Sequence, residues 1–278
     1  MRTTGGGAAS RQDDLVFDVG MNECEDTAFY LKKGFRVVAV EANPAACEEA
    51  SKRFAPEIAD GRLQIVNRAI SPTRDALTFY VCTSFSAWST TSPGLRDRWS
   101  GEGATFETIE VEGCRTEDLI EEFGIPYYAK IDIEGSDLVC LNGFGASAEK
   151  PKYASVEVDF YKVDELVTCA FDLGYRKFAL VGQSGVEGRR APLPALEGAS
   201  VEHEFHRYST GPFGRELPAK WVSADEVRRQ CGRVIWQYRG AGVVRRLQKA
   251  APAQVSLEPM SKRMFPRAFD WYDIHASL

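Results

Sequence analysis

The stretch Leu15-Val16-Phe17-Asp18-Val19-Gly20-Met21-Asn22 sets the architecture. It is a short apolar run closing on Asp-Val-Gly, the pattern of a buried strand that ends in a tight turn. The chain then turns polar and reads as a helix over 23–33. Glu23, Glu25 and Asp26 stand at its start and Lys32 and Lys33 at its end, the charge polarity that a helix dipole favours. Gly34 supplies the stop.

The same alternation continues on the C-terminal side. Residues 36–41 read as a second strand, and Asn43 caps the next helix with Pro44 in its first turn. Further extended segments are read over 63–66, 77–81, 108–111, 128–133, 154–158 and 177–181, with a Ser/Thr/Trp-rich loop ahead of 108–111. Short helices are read from Thr116 to a stop at Gly124, over 136–142 and over 164–173. Ser223 and Glu226 form a capping box for a helix through Cys231, and 233–238 reads as the last strand. Strands alternating with helices imply right-handed crossovers and a mainly parallel sheet covered on both faces. The fold class is α/β, a three-layer α-β-α sandwich. The expected organisation is a flexible tail over 1–12, one α/β domain over 13–240 and an extension over 241–278. The aromatics of Trp271-Tyr272-Asp273-Ile274-His275 are expected to pack that extension on the body.

Composition excludes several classes. With 44% hydrophobic and 27% charged residues, the 278-residue chain is globular, not disordered or fibrous. No apolar run is long enough to span a bilayer, and the first residues lack an apolar signal core. The seven cysteines are scattered with no paired spacing, which argues against disulfides or a zinc ribbon and fits a reducing cytoplasm. The net charge of −6 is uneven. Residues 207–278 hold 13 basic and 6 acidic side chains, the rest of the chain 21 and 34. No aromatic-interleaved basic motif points to nucleic acid, so the basic end is read as a solvated surface docked on an acidic body.

Ligands of open α/β sheets bind beyond the carboxyl ends of the strands. Glu41 closes the second strand 23 positions after Asp18 (41 − 18), where an acidic side chain accepts from ribose hydroxyls. The turn Gly20-Met21-Asn22-Glu23-Cys24-Glu25-Asp26 has one glycine and is crowded with carboxylates. A pyrophosphate wants several glycines and no nearby negative charge. A nicotinamide-dependent dehydrogenase is therefore the weaker reading. A cofactor carrying positive charge, S-adenosylmethionine, suits the turn.

The runs Val16-Phe17-Asp18-Val19-Gly20-Met21-Asn22, Val38-Ala39-Val40-Glu41-Ala42-Asn43-Pro44 and Lys130-Ile131-Asp132-Ile133-Glu134-Gly135, in this order, resemble the FkbM family of methyltransferases, over roughly residues 14–182. The resemblance implies a Rossmann-like class I methyltransferase fold and an S-adenosylmethionine-dependent enzyme, with hydroxyls of sugars or secondary metabolites as the usual acceptors. It places Asp18, Gly20 and Asn22 at the methionine end, Glu41 on the ribose, Ala42 and Asn43 beside the adenine, and Ala69 at the adenine edge. Members usually carry a second glycine in the first turn, where this chain has Cys24. A side chain there crowds the methionine end unless the turn shifts, which keeps a catalytically silent binding protein as a rival.

Methyl transfer to oxygen is an in-line displacement that needs alignment, exclusion of water and a place for the hydroxyl proton. Asp132 and Glu134 are the candidate catalytic pair, on one side of a strand end by period-two alternation. Two carboxylates held together raise one pKa, which suits a base. The alternative for Glu134 is a structural pair with Lys130. Asp132, Glu134, Asp137 and Glu157 together offer oxygen ligands for magnesium or calcium, a divalent metal that is not the favoured reading. His203 and His206 are three apart, a poor spacing for one ion on a strand. The loop 84–91, with Phe85 and Trp88 among serines and threonines, fits a sugar ring.

Overall fold

The structure, a computed structural model, describes residues 10–250 and 258–278. Its centre is a seven-stranded sheet built from β1 (Arg11–Val19), β2 (Arg36–Val40), β3 (Leu63–Val66), β8 (Ile125–Ile131), β9 (Tyr153–Glu157), β10 (Lys177–Gly182) and β11 (Tyr272–Ser277). Between β3 and β8 lie four short strands, β4 (Ala69–Ile70), β5 (Leu77–Cys82), β6 (Phe106–Val111) and β7 (Gly113–Cys114). The helices are α1 (Glu25–Lys32), α2 (Pro44–Arg53), α3 (Ala55–Ala59), α4 (Pro93–Ser100), α5 (Thr116–Phe123), α6 (Asp137–Gly143), α7 (Val163–Asp172), α8 (Ala224–Ala250) and α9 (Glu258–Met264). The sheet order is β10-β11-β9-β8-β1-β2-β3, with β11 antiparallel to both neighbours and β3, β2, β1, β8 and β9 parallel.

Residues 15–19 of β1 are buried throughout, as a central strand covered on both faces requires. Leu15, Phe17 and Val19 pack with Leu119 and Ile120 of α5, Leu141 of α6, Val167 of α7 and Val227 of α8. Val16 faces the other way, with Phe29, Tyr30 and Leu31 of α1, Ala50 of α2, Tyr128, and Phe205 and Phe213 of the 183–223 segment. Two apolar faces and one sheet between them make the three-layer α-β-α sandwich that the alternation predicted.

Lys33 pins this second layer. Its Nζ donates to both carboxylate oxygens of Glu216, at 2.7 and 2.9 Å, and both side chains are fully buried. Glu216 also accepts from the backbone amides of Leu196 and Glu197, so the pair ties α1 to two points of the 183–223 segment.

Four expectations change. β1 begins at Arg11, inside the stretch read as a tail; of that tail, residues 1–9 lie outside the described residues. Residues 233–238 are not a strand but the middle of α8. Their β-branched and aromatic side chains mimic a strand, but the buried positions described in α8, Ala224, Val227, Cys231, Val234, Ala241 and Val244, fall at helical spacing. The remaining strand is β11, so the end of the chain enters the sheet between β9 and β10 instead of packing on it. Finally, the Ser/Thr/Trp-rich loop contains α4, capped by Ser92.

Candidate active site

The carboxyl ends of β1, β2, β8 and β9 open into one cavity of about 540 Å³. Gly20 forms its floor at φ +89°, and a Cβ on it would stand 1.7 Å from the Asp132 carbonyl oxygen. The turns after β1 and β8 touch through their backbones, and only glycine fits there.

Asp18 does not line this cavity. It lies on the even-numbered face of β1, fully buried under α1, and accepts from Thr27 Oγ1 at 2.6 Å. Lys130 Nζ lies 3.3 Å from Asp18 and 3.7 Å from Asp132, and donates to the Gly20 carbonyl at 2.7 Å. Burial alone would depress Lys130, but the charges of Asp18, Asp132 and Asp26 outweigh it and raise its pKa. Asp18 thus anchors the turn from behind instead of facing a ligand.

Asn22 and Cys24 both sit in the left-handed region, at φ 42° and 66°. Cys24 carries the conformation a glycine would hold easily, and it is the N-terminal flank of α1. Its side chain is 4% exposed and packs in the α1-side core, with Sγ 3.7 Å from the Asn22 carbonyl. Burial pushes the thiol up to about 12. The side chain expected to crowd the methionine end points into the core and does not line the cavity.

Glu41 follows β2 directly. Its two carboxylate oxygens accept from the amides of Asn22 (3.0 Å) and Asn43 (2.8 Å). Each oxygen keeps one acceptor position for a ligand hydroxyl. Burial raises its pKa, and those two amides work against the rise. Asn67 Nδ2 donates to the carbonyls of Glu41 and Ala42 and fixes the loop. Ala42, Asn43 and Ala69 line the cavity on this side, with Phe79 beyond them.

On the opposite side, β8 ends at Ile131, so Asp132 and Glu134 lie in a turn and not on a strand. Strand alternation does not bring them together; a wrapped loop does. The Asp137 carboxylate accepts from the amides of Ile133 and Gly135, both at 2.9 Å, and Thr90 Oγ1 donates to the Glu134 carbonyl at 2.6 Å. These bonds hold Glu134 at φ 51°. Carboxylate oxygens of Asp132, Glu134 and Glu157 lie within 4.8 Å of one another. Burial, then the Asp132 and Asp137 charges, push Glu134 well above the usual glutamate value. Burial, then Glu134 and Asp132, do the same to Glu157. Glu134 makes no ion pair with Lys130, which is engaged by Asp18 and Asp132.

The third wall is aromatic. Phe85 and Trp88 of the 84–91 loop meet edge to face, and Trp88 stacks on Trp99 of α4 at 5.5 Å. Trp88 therefore anchors the loop and borders the cavity at once. Sequence reasoning missed Arg207, Tyr208 and Trp271, which also line it. Tyr208 meets Phe85 at 5.4 Å and sits at φ 111°. No periodic pattern marks it; the aromatic run at the chain end was the one signal for Trp271. The histidines stay outside the lining. His203 packs on Phe29 and Phe205, His206 is exposed near Glu25, and burial lowers His275 to about 3.

No helix among the described residues is long and apolar enough to cross a membrane, and all seven cysteines are free. No curated protein matches the chain. Among solved structures, precorrin-6y C5,15-methyltransferase from Geobacter metallireducens is 14% identical over 70% of this chain and 76% of that one, with a TM-score of 0.35. Residues 18–177, more than half of the chain, match the family model described as the methyltransferase FkbM domain, and the protein is a methyltransferase of that family.

Proposed function

We propose that the protein is an S-adenosylmethionine-dependent O-methyltransferase whose acceptor is a hydroxyl of a sugar or secondary metabolite. The observation that carries this reading is the pairing, across one cavity, of Glu41 with the Asp132–Glu134 turn. The residues fit the cofactor: Glu41 offers two open acceptor positions to ribose hydroxyls, and Gly20 leaves the floor free of a side chain. Asn22 would sit at the methionine end, with Ala42, Asn43 and Ala69 on the adenine. The acidic lining, which includes Glu23, Glu25, Asp26 and Glu157, favours a cationic cofactor over a pyrophosphate. Bound there, S-adenosylmethionine supplies an electrophilic methyl group.

The protein's own part is placement and proton handling. Phe85, Trp88 and Tyr208 give a ring platform for the acceptor, and Ser86, Ser89 and Thr91 give hydroxyl partners. Asp132 and Glu134 orient the acceptor hydroxyl and take its proton. Alignment of this kind supplies up to about 7–11 kcal/mol of barrier reduction. Incubation with methyl-labelled S-adenosylmethionine and a panel of glycosides and polyols tests the reading. Label should enter an ether bond, and Asp132→Asn with Glu134→Gln should abolish transfer while cofactor binding persists. Labelling of nitrogen, carbon or sulfur acceptors alone would refute it.

A further inference from the structure

The acidic edge of the cavity has more carboxylates than partners. Glu157 and Asp273 are directly opposed in the antiparallel β9–β11 pair, so both side chains project from the same face. The rung behind them runs Asp18, Lys130, Ser155, His275 across β1, β8, β9 and β11. Lys130 in that rung is committed to Asp18, Asp132 and the Gly20 carbonyl. Among the described residues nothing donates a hydrogen bond to the Glu134, Glu157 or Asp273 carboxylate, and none of the three is in an ion pair. Arg98 bears on Glu134 only through its field. Asp273 is 6% exposed, so a nine-tenths-buried carboxylate without a partner stands opposite Glu157 across the strand pair, and its charge bears on Glu157.

We infer that Asp132, Glu134 and Glu157 bind a divalent cation, with Asp273 behind Glu157 adding negative charge to the site. The donors are all carboxylate oxygens, with no thiol or imidazole among them. That set selects a hard ion such as magnesium, manganese or calcium over zinc or copper. Three oxygens leave coordination positions open toward the cavity, where water or an acceptor oxygen completes the shell. The ion then holds the acceptor hydroxyl against the Asp132–Glu134 turn and lowers its pKa. This role rests on the methyl-transfer reading; the binding itself does not.

The test is a titration of the chelator-stripped full chain with manganese, free ion being read by electron paramagnetic resonance. A single site with Kd on the order of 10⁻⁵ to 10⁻³ M is expected, with magnesium or calcium competing. Glu157→Gln should weaken it roughly 10–100-fold, Asp273→Asn should weaken it less, and Glu134→Gln with Glu157→Gln should abolish it. Calorimetry with S-adenosylhomocysteine on the same samples checks that each variant is folded and tests the cofactor reading separately. No manganese binding by the wild-type chain, or binding that survives the double variant in full, overturns the inference, whatever S-adenosylhomocysteine does. Manganese bound without S-adenosylhomocysteine would instead count against the cofactor.

Discussion

Gly20 has no room for any other residue. Alanine would put a methyl carbon 1.7 Å from the Asp132 carbonyl and force a φ of +89° on an L side chain. Gly20→Ala should therefore separate the β1 and β8 turns, and thermal denaturation should show a large loss of stability or no folded protein. Glu41 is different, because under the proposed function its loss is felt in ligand binding before it is felt in structure. Glu41→Gln keeps one oxygen for the amide of Asn22 or Asn43 but removes the charge. A charge-assisted hydrogen bond is worth about 1.5–3 kcal/mol, so S-adenosylhomocysteine should bind roughly 10–100-fold more weakly by calorimetry. Gly20 and Glu41 were both legible in the sequence, because a single glycine after a strand and an acid at the end of the next one follow from local pattern. Asp18 was legible as part of the motif but not in its role, since its partners Thr27 and Lys130 are set by packing. The inward turn of Cys24 was hidden for the same reason: residue type does not reveal a left-handed backbone.

The elements around the site depend on two buried polar devices. Lys33→Met leaves Glu216 as a buried charge with no counter-ion, a change that typically costs about 3–5 kcal/mol. The urea midpoint should fall accordingly, and Glu216→Gln added to Lys33→Met should recover part of the loss. His275, in β11, is 1% exposed, and its Nε2 has no partner. Its pKa falls from 6.5 to about 3 through burial, so the unfolded chain takes up a proton that the folded one refuses. The stability this group contributes is present above pH 6.5 and is lost as pH falls toward 3, by at most about 1.4 kcal/mol per pH unit. Denaturation at pH 7 and pH 5 should show a smaller acid-induced loss in His275→Leu than in wild type. Strands flanked by glycines and caps, such as β2 and β3, were readable from the chain. The 233–238 segment was not, because its aromatic and β-branched residues satisfy both periods until the helix starting near Ser223 is seen to continue through them.

Assembled, the chain draws its cavity from segments that are far apart in sequence. The β1 and β2 ends contribute the side that carries Gly20 and Glu41, the turn after β8 and the end of β9 the acidic side, and the 84–91 loop, Tyr208 and Trp271 the aromatic wall. The first two were foreseen because each lies at a strand end of a parallel sheet. The third was seen only in its loop, because Tyr208 and Trp271 reach the cavity through long-range packing and through β11 entering the sheet. Calorimetric titration of the full chain with S-adenosylhomocysteine and, separately, with NAD tests the site most directly. The expected result is saturable one-to-one binding of S-adenosylhomocysteine that weakens in Glu41→Gln, with no heat from NAD. Binding of NAD in its place, or S-adenosylhomocysteine affinity indifferent to Glu41→Gln, would contradict the account.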